Sequence, residues 1–515
     1  MAKAIYDNFL GGLSYYDRNA PANQYYEGRD IDPHRGRGYL QPGWTPKDLT
    51  NVSACTMLMT GMGVDPVGTS SSDEKCYAIG SDGTNGQLHE IDISSNTISE
   101  TSPYPRTIAG AKRTDGIVYY GCNESDGTLV PDIFYIYDTN MGRRKPANTC
   151  DDDWLSTVPT NGVVFSDRYS VHPHLIWNNY LFIGDGYKIG KLDGETGNDG
   201  TWYPAALTLP ENWRVTALFP TQNYIGVCVQ IGYSDATVTQ GAGFYTESFI
   251  LFWDGSSSAF NYKVPISDNK IVSAINQDGN IYLITYGRDF AYTLRQLTDT
   301  GVKKIRKLKI PLLGVATNFS AYKRNAINVF ANRLIFGASY GIDTGNNQIF
   351  SYGAEEQDQP LAFTMPWSCP ATRETNNYIG AIQPVWINRV YVSYQDDTTY
   401  KLARFNAGNS TNAYYKGCYT DMGQKIRINY VKFYFKPLVA SDSVTPTLEV
   451  DYGTSWTLKD PRGNAVISHT LDGDVTSKRF NVKRDCHAFR PVIDWGAGGV
   501  AFSKIVVDYS FIDDI

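Results

Sequence analysis

The feature of this sequence that most constrains its fold is a pair of short strands that keeps returning. Runs rich in Val, Ile, Tyr and Phe are separated by Gly, Asn, Asp and Ser, the pattern of strands joined by tight turns. Long Ala/Leu/Glu/Lys stretches with a period of 3.6 residues are absent. In each pair a turn leads one strand, which ends in Gly or Tyr, and an aromatic-rich strand follows. IWNNYLFIGDGYKIGKLDG (176–194), INQDGNIYLITYGRDFAYTLR (275–295) and VWINRVYVSYQDDTTYKLARF (385–405) are clear copies. VFANRLIFGASYG (329–341) with QIFSYG (348–353), and NYIGVCV (223–229) with FILFWDG (249–255), are two more. GIVYYGC (116–122) with DIFYIYD (132–138), and CYAIGSDG (76–83) with QLHEID (87–92), complete the series.

Aligned on Tyr77, Tyr119, Leu181, Ile225, Ile281, Leu334 and Tyr391, the pairs recur at intervals of 42, 62, 44, 56, 53 and 57 residues. Blades of β-propellers of the WD40 and kelch types run ~40–50 residues, so seven blades with variable loops account for the spacing. A four-stranded blade cannot bury both faces alone. Radial stacking buries each face on a neighbour and leaves only short edges. The predicted fold class is therefore all-β, a seven-bladed β-propeller over residues 51–418.

From residue 419 the pattern changes to sharp alternation, as in KIRINYVKFYFKPL (425–438) and TLEVDYG (447–453). Period-2 patterning with Pro/Gly/Ser turns predicts a C-terminal antiparallel β-sandwich over 419–515. Its predicted core is Ile426, Ile428, Val431, Phe433, Phe435, Leu448, Val450, Phe480, Val482, Phe489, Val492, Ile505 and Val507. Residues 1–50 fit neither unit. They are rich in Gly, Pro, Tyr and Asn without periodicity and cannot form a core of their own. They read as an extended N-terminal arm, lying either on its own propeller or on a neighbouring subunit. On the second reading, removing residues 1–45 leaves a folded monomer that fails to assemble.

Charged residues are 19% of the 515, below the ~25% of average proteins, and net charge is −7. That excludes a charge-driven disordered chain and a globally basic nucleic-acid binder. No run approaches the ~20 apolar residues of a membrane-spanning helix, so no membrane insertion is expected. The opening MAKAIYDNFLGGLSYYD has no charged and apolar leader pattern, which predicts a protein made in the cytoplasm and not exported by the general secretory route. None of the eight Cys is in CxxC spacing, so buried thiols are expected.

The search for chemistry yields little. His172 and His174 (HPH) have the spacing of two metal ligands but no acidic or His partner nearby in sequence. Two turns, from Asp82 to Asn85 and from Asp193 to Asp199, carry oxygen ligands suited to calcium and equally suited to hairpins. No hydrolase elbow, zinc-protease or P-loop motif is present. The expected catalytic, cofactor and metal residues are therefore none. Arg143-Arg144, DDD at 151–153 and DD at 396–397 are uninformative. One basic run stands out: Lys303, Lys304, Arg306, Lys307 and Lys309 form a candidate contact for an acidic partner or nucleic acid. The alternative is an edge strand guarded by Lys.

The sequence also resembles virion β-propeller proteins of tailed bacteriophages. The residues concerned are NFLGGL (8–13), the Asp/Asn/Tyr-rich coil after it, GYLQPGW (38–44), and the closing KRFNVKRDCHAFRPVIDW and FSKIVVDYSFI. Phe489–Arg490 and Ile505–Val507 match that family's last two strands. The resemblance implies a structural tail component of nozzle, hub or tail-tip/accessory type, made in the bacterial cytoplasm, located in the virion, and not an enzyme. Its implied partners are other tail proteins and copies of itself in a symmetric ring, with DNA in transit as a transient contact. Phe9, Gly11, Gly12, Leu13, Tyr15, Tyr16, Tyr25 and Tyr26 would be the assembly arm. The alternatives are a propeller that binds a host surface glycan or receptor at the tail tip, and a polysaccharide hydrolase.

Overall fold

The computed structural model describes residues 2–14, 18–21, 23–35, 37–66, 74–144, 149–166, 171–231, 247–287, 292–308, 324–338, 346–356, 358–370, 378–385, 389–405, 408–410 and 413–512. Seven small antiparallel sheets follow one another along the chain. Their innermost strands are Met59–Asp65, Thr114–Asn123, His174–Trp177, Trp213–Pro220, Lys270–Gln277, Ile327–Phe330 and Tyr378–Val385. Each contacts the next, and Tyr378–Val385 contacts Met59–Asp65, so the ring closes as a seven-bladed propeller. In blades three, five and six the hairpin leaving the innermost strand uses a two-residue turn with positive φ, such as Asn178–Asn179 (48° and 65°) and Asp278–Gly279 (50° and 86°). Asn, Asp and Gly tolerate that region, and such turns match the twist of paired strands.

The aromatic and β-branched residues of the repeats do what stacked blades require. Every blade-to-blade interface has its own buried cluster, for example Phe134, Trp154, Leu181 and Trp202 between blades two and three. Phe182, Val215, Ile225 and Trp253 fill the next interface, and Tyr391, Leu402, Met59 and Cys76 close the ring between blades seven and one. Blade seven is not contiguous in sequence. Its outermost strand is Lys47–Asp48, paired with Thr399–Phe405 and held by Lys401 Nζ to Asp48 Oδ2 at 2.9 Å.

Six of the seven reference residues used to align the repeats lie on the second strand of a blade. Tyr119 is the exception, because GIVYYGC is the innermost strand of blade two and its second strand is Leu129–Tyr137. Blade two has the strongest strand pattern in the wrong phase, which explains the uneven intervals around it.

The C-terminal region forms a bent sheet. Thr420–Phe435 pairs with the first half of Ser477–Ala497 and with Phe502–Phe511, while Ser443–Val450 pairs with the second half. Residues from both halves share one core, in which Val431, Phe433, Val450, Phe480 and Trp495 are buried. Of the thirteen predicted core residues only Val482 is partly exposed.

The N-terminal segment contributes three strands to this sheet. Ala2–Asp7 pairs with Phe502–Phe511, and Gln24–Arg29 pairs with Tyr414–Gly417, so the sheet already begins at Tyr414. Phe9 and Tyr25 are fully buried against Tyr415, with ring centroids 5.7 and 5.8 Å apart. Gly12 (φ 70°) runs against blade six, where any Cβ would lie 2.6 Å from the Phe363 carbonyl. Gly11 lies against Asn23, Leu13 packs on the core between blades five and six, and Tyr26 lies under the Arg490 guanidinium. Tyr15 and Tyr16 fall outside the described residues. The segment thus has no core of its own but supplies buried side chains to its own chain. This corrects the picture of an arm whose removal leaves a folded monomer.

Candidate functional site

The innermost strands surround a central cavity of about 170 Å³, to which every blade contributes. In five blades the innermost strand has an irregular register near its start: Met59/Gly61, Thr114/Gly116, Val215/Ala217, Ile271/Ser273 and Ile379/Ala381. A bulge takes one residue off the ladder and frees its backbone groups. Two of the freed carbonyls are satisfied from across the ring. Asn325, just before the innermost strand of blade six, donates its side-chain N–H to the carbonyls of Thr60 (2.6 Å) and Asp115 (2.9 Å). Arg324 Nη2 donates to the same Asp115 carbonyl. Blade six is thereby tied to blades one and two.

Charge gathers at this tie. The buried Asp115 carboxylate faces Arg113 at 3.2 Å and Arg324 at 3.6 Å. Burial alone would raise its pKa, but the two arginines outweigh that and hold it below the usual carboxylate range. Burial lowers the pKa of Arg324, Asp115 partly offsets this, and Arg113 adds to it. Lys270, at the start of blade five, is likewise depressed by burial and then by Arg324. His174 lines the cavity and is pushed down to about 4 by burial and by Arg324. Its ring occupies the space that a side chain at Gly116 would need, 2.0 Å from any Cβ there.

The residues singled out in the sequence lie elsewhere or do other work. His172 is buried with its ring nitrogens 2.9 Å from the Gly184 carbonyl and 3.2 Å from that of Asp138, which spends both on backbone. Among the described residues no group of three His, Cys, Asp or Glu is arranged to hold a metal. Asp82 accepts backbone N–H groups from Thr84 and Asn85, and Asp193 accepts from Glu195 and Thr196, so both calcium candidates are hydrogen-bonded turns. Asp152 of the DDD run forks onto Arg106 at 2.8 and 2.7 Å. Arg143 is fully buried on Asp132 at 2.6 Å. The cysteines are buried except for Cys150, which is partly exposed.

The basic run is the outermost strand of blade five, Gly301–Leu308. A register irregularity places Arg306 opposite Leu294 and Lys304 opposite Arg295, which sets Ile305 off the ladder and breaks the strict alternation expected there. Lys303 and Lys304 are exposed. Arg306 instead turns inward, donating to the Leu13 carbonyl at 2.6 Å and the Ser14 carbonyl at 3.3 Å, so it anchors the N-terminal segment. Lys309 falls outside the described residues.

Arg324, Asn325, Asp115 and Lys270 went unnoticed in the sequence. They come from three blades, and no local spacing links them. Their one shared trait, a polar residue at the start of an innermost strand, means nothing until the strands have been counted.

No family model matches the sequence, and no curated protein matches it. Solved structures with similar folds include the Dos1 propeller, at 12% identity over 72% of this chain and 96% of that one, with a TM-score of 0.38. Raptor from Chaetomium thermophilum is 11% identical over 72% of this chain and 30% of its own, with a TM-score of 0.38. A glycoside hydrolase, the exo-β-1,3-galactanase of Phanerochaete chrysosporium, is 10% identical over 68% of this chain and 98% of its own, with a TM-score of 0.30. Identities this low speak to fold alone.

Proposed function

We propose that this chain is a structural propeller of a tailed-bacteriophage virion, acting through assembly contacts with other tail proteins and with copies of itself. The observation that carries the reading is the fate of the segment with the phage-like NFLGGL motif. It adds strands to the C-terminal sheet, packs on blade six and, through Lys47–Asp48, completes blade seven. One continuous segment thus stitches ring and sheet together, as suits a part that must keep its shape in a particle.

In this reading the chain is not an enzyme. Glycoside hydrolysis requires two carboxyl groups flanking the scissile bond. Among the described residues that line the central cavity there is neither Asp nor Glu. A glycan receptor role would draw on aromatic platforms, yet five of the ten tryptophans are fully buried.

The test is localisation joined to activity. Antibody raised against the purified chain should label the tails of virus particles from the source sample in negative stain. The same chain should leave host polysaccharide uncleaved. Absence of label on any particle, together with polysaccharide turnover, would replace this reading with a hydrolase.

A further inference from the structure

We propose that the central cavity of the propeller binds a small oxoanion of the phosphate class. This inference is independent of the virion reading and rests on charge, unsatisfied donors and space.

Arg324 lines the cavity and, with Arg113 behind it, faces the Asp115 carboxylate, while Lys270 lies on the Arg324 side. The Lys270 side chain makes no hydrogen bond or ion pair among the described residues, although it stands near enough to Arg324 for the two cations to repel. Three partly buried cations thus stand against two carboxylates, Asp115 and the Asp138 that faces Arg113, which leaves positive charge in excess at this end of the cavity.

Unsatisfied donors point the same way. The Arg324 Nη1 and Ser273 Oγ donors are buried without hydrogen-bond partners, and both residues line this cavity. They come from blades six and five, so they meet in one space from neighbouring blades. Ser273 is only 2% exposed. Buried polar atoms are seldom left unpaired, so a shared site of orphans implies an occupant.

Water would satisfy the hydrogen bonds but not the charge. A neutral sugar has the same shortcoming, and a metal cation would be repelled. An oxoanion provides several acceptor oxygens and the missing negative charge together, and a guanidinium fork suits it well. The cavity, about 170 Å³, is also well beyond the ~10–15 Å³ that a single water needs.

The test is calorimetric titration of the full chain with inorganic phosphate at constant ionic strength, paralleled by glycerol phosphate and by thermal melting. The expected result is saturable phosphate binding with a rise in melting temperature. Lys270→Met should weaken binding by about tenfold or more, or about 1.4 kcal/mol, without lowering the melting temperature of the anion-free protein, since Lys270 has no partner to lose. Arg324→Met should abolish binding. Binding of phosphate alone would identify a free ion as the occupant, and binding of both probes the terminal phosphate of a larger molecule. No saturable binding by the unmodified chain, or equal binding by the Lys270→Met variant, would overturn the proposal and leave the cavity to water.

Discussion

Arg333 grips Asp32 through two parallel hydrogen bonds, Nη1 to Oδ1 at 2.9 Å and Nη2 to Oδ2 at 3.0 Å, across 301 positions of sequence. Both side chains are about 1% exposed, and Glu355 approaches Arg333 at 2.8 Å. The pair fastens the N-terminal segment to the second strand of blade six. Removing one partner of a buried pair strands the other charge. Arg333→Ala is therefore expected to cost about 3–5 kcal/mol in urea unfolding. Arg333→Lys should recover little of this, because an ammonium cannot reproduce the fork. A loss below 1 kcal/mol for Arg333→Ala would show that the clasp is not structural.

Asp30, two residues away, titrates in the opposite sense. Burial raises its carboxyl to about 6, against the hydroxyls of Ser368 and Ser410 that donate to it. A folded pKa above the unfolded value means stability that is complete below the unfolded pKa of ~3.9 and is lost as pH rises through about 6. Asp32 is held low, so its contribution is present above the unfolded pKa and is lost as pH falls. Asp30→Asn should flatten the decline in stability between pH 4 and 7, a difference of the order of 2–3 kcal/mol. Melting curves across that range check this, and parallel curves for the two proteins would contradict it.

Asn325→Ala should destabilise the ring by about 1–3 kcal/mol, because the Thr60 and Asp115 carbonyls lose a buried donor. Asn325→Asp should be worse, since a carboxylate facing two carbonyls can only repel them. Denaturant titration of both variants ranks them, and the reverse order would contradict the cross-ring tie.

Deleting residues 1–45 removes Phe9, Tyr25, Ile31 and Leu40, all fully buried. The truncated chain is expected to be insoluble or to lose cooperative unfolding. A soluble truncation that melts in one sharp transition would restore the picture of a detachable arm.

Lys303→Glu with Lys304→Glu lies on the exposed edge of blade five. Stability should stay within about 0.5 kcal/mol, while incorporation into particles drops. Wild-type incorporation would leave the two lysines with the edge-guarding role alone.

Strand pairs such as 176–194 and 385–405 made the propeller legible because the central hairpin of each blade is local in sequence and its period is set by the strand itself. The bent sheet was legible for a similar reason, since alternation at Val431, Phe433 and Phe435 marks one face. Three things were not. GIVYYGC and DIFYIYD are both good strands, and pattern alone does not say which is innermost. Arg306 looked like part of a solvated row because the bulge at Ile305, which turns it inward, depends on the partner strand. The cavity cluster joins Asp115, Lys270 and Arg324, and only ring closure makes neighbours of them.

The two-residue strand at Lys47–Asp48 governs the order of events during synthesis. Its Asp48 must wait for Lys401, 353 positions later, before the two can meet. Until then the growing chain holds six blades and an open seam, with the faces of blades one and six that blade seven covers left bare. Closing so large a loop is entropically slow, and exposed faces of that kind invite association between chains. A cell making this protein in quantity must therefore shield the nascent ring until its last blade leaves the ribosome.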